Sequence, residues 1–286
     1  MLHELKPQRM MTMTKYKVCL DAGHCGKYNQ SPCNKDYYES DMTWKLHLLL
    51  KKALEAKGIE VVTTRKAQAS DLALVSRGKK SKGCHLFLSL HSNATVGGKP
   101  DEKTDYPLVI VPVSGKGDEL GKRLTECIAK IMQTAQKGKY KSRKGINGDW
   151  YGVMNGAAQV GTVGLLIEHS FHTNTRSTNW LLNDSNLANL AKAEAEVIAE
   201  WLRENAELES TKPVSTFKEY KVKVICDSLN IRKTPNWKAS DIVGAITNKG
   251  TYTIIAETEL DGTKFGKLKS GKGWISLGGK YVKIVV

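Results

Sequence analysis

Four side chains in this chain have the types and settings that hydrolytic metal chemistry uses: His24, Glu39, His91 and Glu168. Each falls where a buried strand or an amphipathic helix meets a loop. Two imidazoles and one carboxylate form the ligand set of an open catalytic zinc site, whose fourth position is left to water. A further carboxylate beside that water supplies the base that hydrolysis needs. The pattern points to a metal-dependent hydrolase.

The elements that must position these groups are legible in the hydropathy. Residues 17–20 read as a short strand running into Asp21-Ala22-Gly23-His24 and a loop rich in Gly, Asn, Ser and Pro. Ser40 or Asp41 then caps a helix whose Met42, Leu46, Leu49, Leu50, Ala53 and Leu54 share one face before Gly58 ends it. Residues 59–63, 85–90, 108–113 and 163–167 read as further strands. Helical spacing covers 117–134 and 186–204. Strands apolar on both faces, alternating with helices, predict an α/β domain with a twisted, mostly parallel sheet flanked by helices. In such sheets the ligand site lies beyond the carboxyl ends of the strands. His24, His91 and Glu168 all fall at that edge.

Each candidate has a plainer explanation against which it is weighed. A lone histidine is usually a core or surface residue, and His3, His47 and His85 are assigned so. His24 follows a glycine on a strand-to-loop turn that frees its ring to enter a cleft. His91, within SLHSNA at 89–94, ends a buried strand beside small polar residues able to orient it. Glu39, taken alone, is a solvated carboxylate favoured near a helix N-terminus by the macrodipole. Glu168 directly follows the apolar run 163–167, where a carboxylate is expensive to bury without a metal, partner or water. His169 faces opposite Glu168, and His169 and His172 are read as flanking or substrate-cleft residues. Cys25 and Cys33 flank the loop beside His24 and leave a thiolate ligand as the lesser option.

Lys and Arg outnumber Asp and Glu by 44 to 29, a net charge of +15. That excess suits a polyanionic partner such as an anionic wall or surface. The basic residues are spread over both halves rather than gathered with aromatics in one stripe, which weakens a nucleic-acid reading, and no nucleic-acid partner is expected. Six cysteines at irregular spacings, with no CxxC, read as free thiols rather than a disulfide framework. The first residues lack the apolar stretch of a secretory leader, and no run approaches a membrane span. The expectation is a protein made in the bacterial cytoplasm with no membrane insertion. Residues 1–14 read as an extension, 15–205 as the catalytic domain and 206–216 as a polar linker. Residues 217–286, short strands divided by turns such as Asp261-Gly262, read as a small all-β barrel.

Taken together, DAGH at 21–24, the glutamate at 39 ahead of a helix, SLHSNA at 89–94 and LLIEHSF at 165–171 resemble the zinc-dependent N-acetylmuramoyl-L-alanine amidases of the type-3 family. The resemblance spans about residues 15–205. It implies that His24, Glu39 and His91 bind Zn2+ and that Glu168 is the catalytic carboxylate. It also implies cleavage of the amide between N-acetylmuramic acid and L-alanine in bacterial peptidoglycan. Two positions depart from the family pattern: Thr43, often Asn, and His169-Ser170, usually a small or Thr-Gly pair. The tail, with LNIRKTP at 229–235 and GKLKSGKGWISLGGKYVKI at 266–284, resembles bacterial SH3-type wall-binding domains, with Trp237 and Trp274 as candidate contacts and the core as the equal alternative for Trp274. From residue 213 on it carries 13 Lys and Arg against 6 Asp and Glu, which suits the wall of a Gram-positive cell. The combination is similar to phage endolysins, with a bacterial autolysin or a zinc peptidase cutting the stem peptide as alternatives. Nothing in the sequence sets the oligomeric state.

Overall fold

A computed structural model describes residues 16–146, 148–211 and 217–285. The chain divides into two units, 1–209 and 210–286.

The first unit comprises β1 (Lys17–Ala22), α1 (Glu39–Glu55), β2 (Glu60–Thr63), α2 (Leu74–Lys79), β3 (Leu86–Asn93), β4 (Leu108–Val111), α3 (Asp118–Met132), β5 (Lys139–Ser142), β6 (Lys144–Gly145), β7 (Gly148–Asp149), α4 (Gly152–Gln159), β8 (Val163–Phe171), α5 (Thr175–Leu182) and α6 (Asp184–Thr211). Six strands form one sheet in the order β2-β1-β3-β8-β4-β5, and β6 and β7 pair separately. Neighbours are parallel except β4 against β8. The predicted α/β class and its mostly parallel sheet are therefore the ones observed.

Strand alternation divides the core into two layers. Val18, Leu20, Leu86, Leu88, Leu90, Val109, Val111, Leu165 and Ile167 face α1, α3 and α6, whose buried rows include Leu46, Leu50, Leu124, Ile128, Leu190 and Ile198. The intervening residues Cys19, Phe87, Ile110 and Leu166 face the other way, onto Val153, Met154 and Ala157 of α4. Helices α2 and α4 cross through glycines. A Cβ on Gly78 would lie 2.0 Å from the Val153 carbonyl oxygen, and one on Gly156 would lie 2.2 Å from that of Val75. Only a residue without a side chain permits that approach.

Three expectations change. Helix α1 begins at Glu39 with Tyr38 at its N-cap, so Ser40 and Asp41 lie inside it rather than capping it. The strand at 163–167 continues to Phe171, so Glu168 lies within β8 rather than after it, as His91 lies within β3. The closing helix runs on to Thr211, so the first part of the expected linker is helical, while 212–216 and the extension 1–14 lie outside the described residues.

The second unit holds β9 (Tyr220–Val224), β10 (Leu229–Arg232), a 3-10 turn at Ala239–Asp241, β11 (Ile242–Ile246), β12 (Thr251–Leu260), β13 (Thr263–Leu268), β14 (Trp274–Ser276) and β15 (Val282–Val285). They form an all-antiparallel sheet in the order β11-β10-β14-β13-β12-β9-β15. The β12–β13 hairpin turns on Asp261 and Gly262, both at positive φ (49° and 71°), the backbone that two-residue hairpin loops require. Val222, Val224, Ile231, Ile254 and Ile275 form its core. Among the described residues no helix is long and apolar enough to cross a membrane.

Candidate metal centre

Strand β1 ends in a loop that is held from three sides. Asp21, fully buried, accepts hydrogen bonds from Thr64 Oγ1 (2.6 Å) and Ser89 Oγ (2.8 Å). Arg65 and Arg77 donate to the Ala22 carbonyl at 3.0 and 3.3 Å, and Arg77 donates to the His24 carbonyl at 3.1 Å. The Thr43 hydroxyl donates to the Gly23 carbonyl at 2.7 Å. Held in this way, His24 adopts φ 56°, a conformation uncommon for a residue with a side chain. Its ring stacks on Tyr28, with centroids 4.8 Å apart. Gly23 cannot be anything larger: a Cβ there would sit 2.4 Å from Cε1 of His91.

Glu39 opens α1 and is almost wholly buried. Its Oε1 accepts from the Ser92 backbone N–H (3.1 Å) and meets Nδ1 of His91 at 2.8 Å. Its Oε2 accepts from Asn29 Nδ2 (2.6 Å) and lies 3.2 Å from Nε2 of His24. Burial pushes this carboxyl up, but the contacts with His24 and His91 outweigh it and hold Glu39 below the usual carboxylate range. The side chains of His24 and His91 are 27 % and 14 % exposed, so the cluster opens to solvent on their side.

Donor atoms of His24, Glu39 and His91 all lie within 4.8 Å of one another. A modest side-chain adjustment would close that spread to the ~3.3 Å edge of a tetrahedron with bonds of ~2.0–2.1 Å. The donor set, two imidazoles and a carboxylate, fits a divalent cation of the zinc type. Among the described residues this is the one such cluster, and neither cysteine belongs to it: Cys33 donates to the Thr173 carbonyl instead.

Glu168 stands beside this cluster. It pairs with His91 across neighbouring parallel strands, so both side chains leave the same face of the sheet. Its Oε2 is buried and has no hydrogen-bond partner. Burial, and then the charge on Glu39, hold its carboxyl well above the usual range. A buried carboxylate that lacks a partner costs free energy, and a cation at the cluster would relieve that cost. The orphaned oxygen is thus a second observation that fits a metal at this place.

His169 and His172 buttress rather than line the site. His169 is fully buried, with Nδ1 2.9 Å from the His91 carbonyl and Nε2 2.9 Å from Glu194 of α6. Burial pulls its pKa down, yet the Glu194 carboxylate beside it holds it above the ordinary value. His172 meets Ser92 through Nδ1 and lies beside Tyr37. Both are buried, so of the two roles expected for them, flanking or substrate-cleft, the flanking one fits. Sequence reasoning missed Asn29, Arg65, Arg77 and Glu194; Ser92, one of the small polar residues expected to orient His91, holds Glu39 through its N–H instead. Only Glu194 carried a signal, an acid set on the apolar stripe of α6 between Leu190 and Ile198.

Residues 18–200 match the model of the N-acetylmuramoyl-L-alanine amidase family. The endolysin of Bacillus phage SPP1 is 27 % identical over 277 residues, covering 93 % of this chain and 97 % of that protein. Among solved structures, the N-acetylmuramoyl-L-alanine amidase of Clostridium difficile 630 superposes with a TM-score of 0.57 at 20 % identity, covering 66 % of this chain and 97 % of that one. The catalytic domain of the amidase CwlV from Bacillus (Paenibacillus) polymyxa gives 0.55 at 19 % identity, covering 66 % and 98 %. At these identities the superpositions speak for the fold alone.

Proposed function

The chain belongs to the N-acetylmuramoyl-L-alanine amidase family, and from that premise we propose that it is a zinc-dependent, endolysin-type hydrolase whose catalytic carboxylate is Glu168. The amidase activity on peptidoglycan follows from the family. The metal, the residue roles and the biological setting are our reading. What carries it is one observation: His24, Glu39 and His91 converge while Glu168, paired in register with His91, keeps a buried oxygen without a partner.

His24, Glu39 and His91 would hold the ion. Zinc there supplies Lewis acidity toward the scissile carbonyl and toward water. Glu168 takes the proton of the attacking water and returns it to the nitrogen of L-alanine, which leaves poorly unless protonated. Asn29 and the Ser92 N–H keep Glu39 oriented, and Gly23 leaves room for the His91 ring.

The endolysin reading is supported by likeness to the SPP1 endolysin along almost the whole of both chains, second unit included. For that unit we infer an SH3-type wall-binding role. Trp237 is 44 % exposed and lies in reach of the Arg232 guanidinium, an aromatic surface suited to a sugar or peptide. Digestion of Gram-positive peptidoglycan tests the activity. New alanine amino termini, without new reducing sugars and abolished by a chelator, are expected; ends within the stem peptide would refute it.

A further inference from the structure

The chain's positive charge is spread over both units, yet one segment concentrates it away from the metal centre. Between Glu126 and Asp149 there is no acidic residue, while Lys130, Lys137, Lys139, Lys141, Arg143 and Lys144 all lie there. Lys139 and Lys141 lie on β5, Lys137 just before it, Arg143 between β5 and β6, and Lys144 at the start of β6; all five are exposed. Among the described residues none of them is matched with a carboxylate. β5 is the last strand in the sheet order, so its outer edge is open.

The direction of these cations is fixed by the sheet. Tyr140 faces α3, where its Cβ would lie 3.6 Å from a Cβ on Gly121, so Lys139 and Lys141 leave the opposite face. Glu168, Leu108 and Lys139 are successive partners across β8, β4 and β5. Lys139 therefore shares a face and a cross-strand row with Glu168, ~10 Å away at ~4.8 Å per strand. From that row the basic strand runs away from the site, with same-face lysines ~6.6 Å apart. Two aromatic platforms steady it: Lys139 Nζ lies 3.9 Å from the Tyr106 ring centre, and the Arg143 guanidinium 4.3 Å from that of exposed Trp150.

We propose that the β5 edge is a binding track for the polyol-phosphate chains of a Gram-positive wall, poly(glycerol phosphate) in chemistry, and that it holds the enzyme on the polymer beside the stem peptides it cuts. The inference rests on the wall-hydrolase reading above. A ligand for this strand must carry regularly repeated negative charge, be flexible enough to lie along an extended backbone, and be attached to the substrate. A polyol phosphate meets all three conditions; duplex nucleic acid is stiff and forms no part of the substrate. Lysines on an edge strand also deter edge-to-edge pairing. One or two charges accomplish that, and the row here is longer and begins at the catalytic face.

The full-length protein and its K137Q/K139Q/K141Q/R143Q variant are titrated with soluble poly(glycerol phosphate) across a range of salt. The variant is expected to bind about tenfold more weakly or worse, with a log–log salt slope smaller by about 3, since each contact with a flexible polyanion contributes ~0.7. Should the quadruple variant melt early, the pairs K137Q/K139Q and K141Q/R143Q are each expected to show about half the slope change. Equal affinity and slope would overturn the proposal, as would failure of the unaltered chain to bind the polymer, or tighter binding to duplex DNA of equal charge. Hydrolysis of a soluble muramyl peptide by the unaltered chain is measured alongside. Its absence would count against the wall-hydrolase reading, whichever way the binding falls.

Discussion

Replacing Glu168 by Gln keeps the volume of the side chain and removes only its ability to exchange a proton. The account assigns that ability to the reaction, and general acid–base catalysis is worth ~10²–10⁴ in rate, or about 3–5 kcal/mol of barrier. Hydrolysis of a soluble muramyl-L-alanyl peptide should fall by that factor, while zinc content is unchanged because none of the three ligands is touched. Stability of the metal-free protein should move the other way. The carboxyl is raised in the fold from 4.5 by burial and by Glu39, so its contribution is fully present below pH 4.5 and is lost as pH rises through the folded pKa. Glutamine has no such dependence. The metal-free variant should therefore melt higher relative to wild type at pH 8 than at pH 4. A loss of activity smaller than tenfold with zinc retained would refute the role of Glu168. Loss of zinc along with activity would place it among the ligands instead.

Three further substitutions probe the supports of the site and the fold. Gly23→Ala puts a methyl 2.4 Å from His91 Cε1; zinc affinity should fall on the order of 10–100-fold, read by competition with a chromogenic chelator, and unchanged affinity would mean the ring has another seat. Glu194→Ala strips the partner from fully buried His169 and should cost about 3–5 kcal/mol in denaturant unfolding; a cost under about 1 kcal/mol would mean that the pair is not held as described. Gly156→Val sets a branched side chain against the Val75 carbonyl, 2.2 Å from where its Cβ must go. It should lower the melting temperature sharply, and a silent result would contradict the glycine crossing of α2 and α4.

The sequence carried more of the frame than of its supports. Strands β1, β3, β4 and β8 are apolar on both faces, and α1 and α3 repeat leucine or isoleucine every three or four positions, so pattern alone located them. Helix α4 escaped notice because it is only eight residues long, its buried row is just Val153, Met154 and Ala157, and the glycines at 152 and 156 argue against helix. β5 escaped because an exposed edge of alternating lysines has no hydrophobic period to detect. His24, Glu39 and His91 were legible as a set because they fall at strand ends and a helix start, yet their meeting at Glu39 depends on contacts from Asn29 and Ser92 that spacing does not encode. Arg65 and Arg77 fall in polar stretches with no sequence signal; in the fold they are buried and hold the backbone that carries His24.

Metal analysis of the purified protein beside its Glu39→Ala variant bears most directly on whether these three side chains share one ion. About one zinc per chain is expected in the unaltered protein, lost to a chelator together with hydrolysis and regained with it on adding zinc, and almost none in the variant. Zinc retained by the Glu39→Ala protein, or hydrolysis that persists after the metal is stripped, would contradict the account.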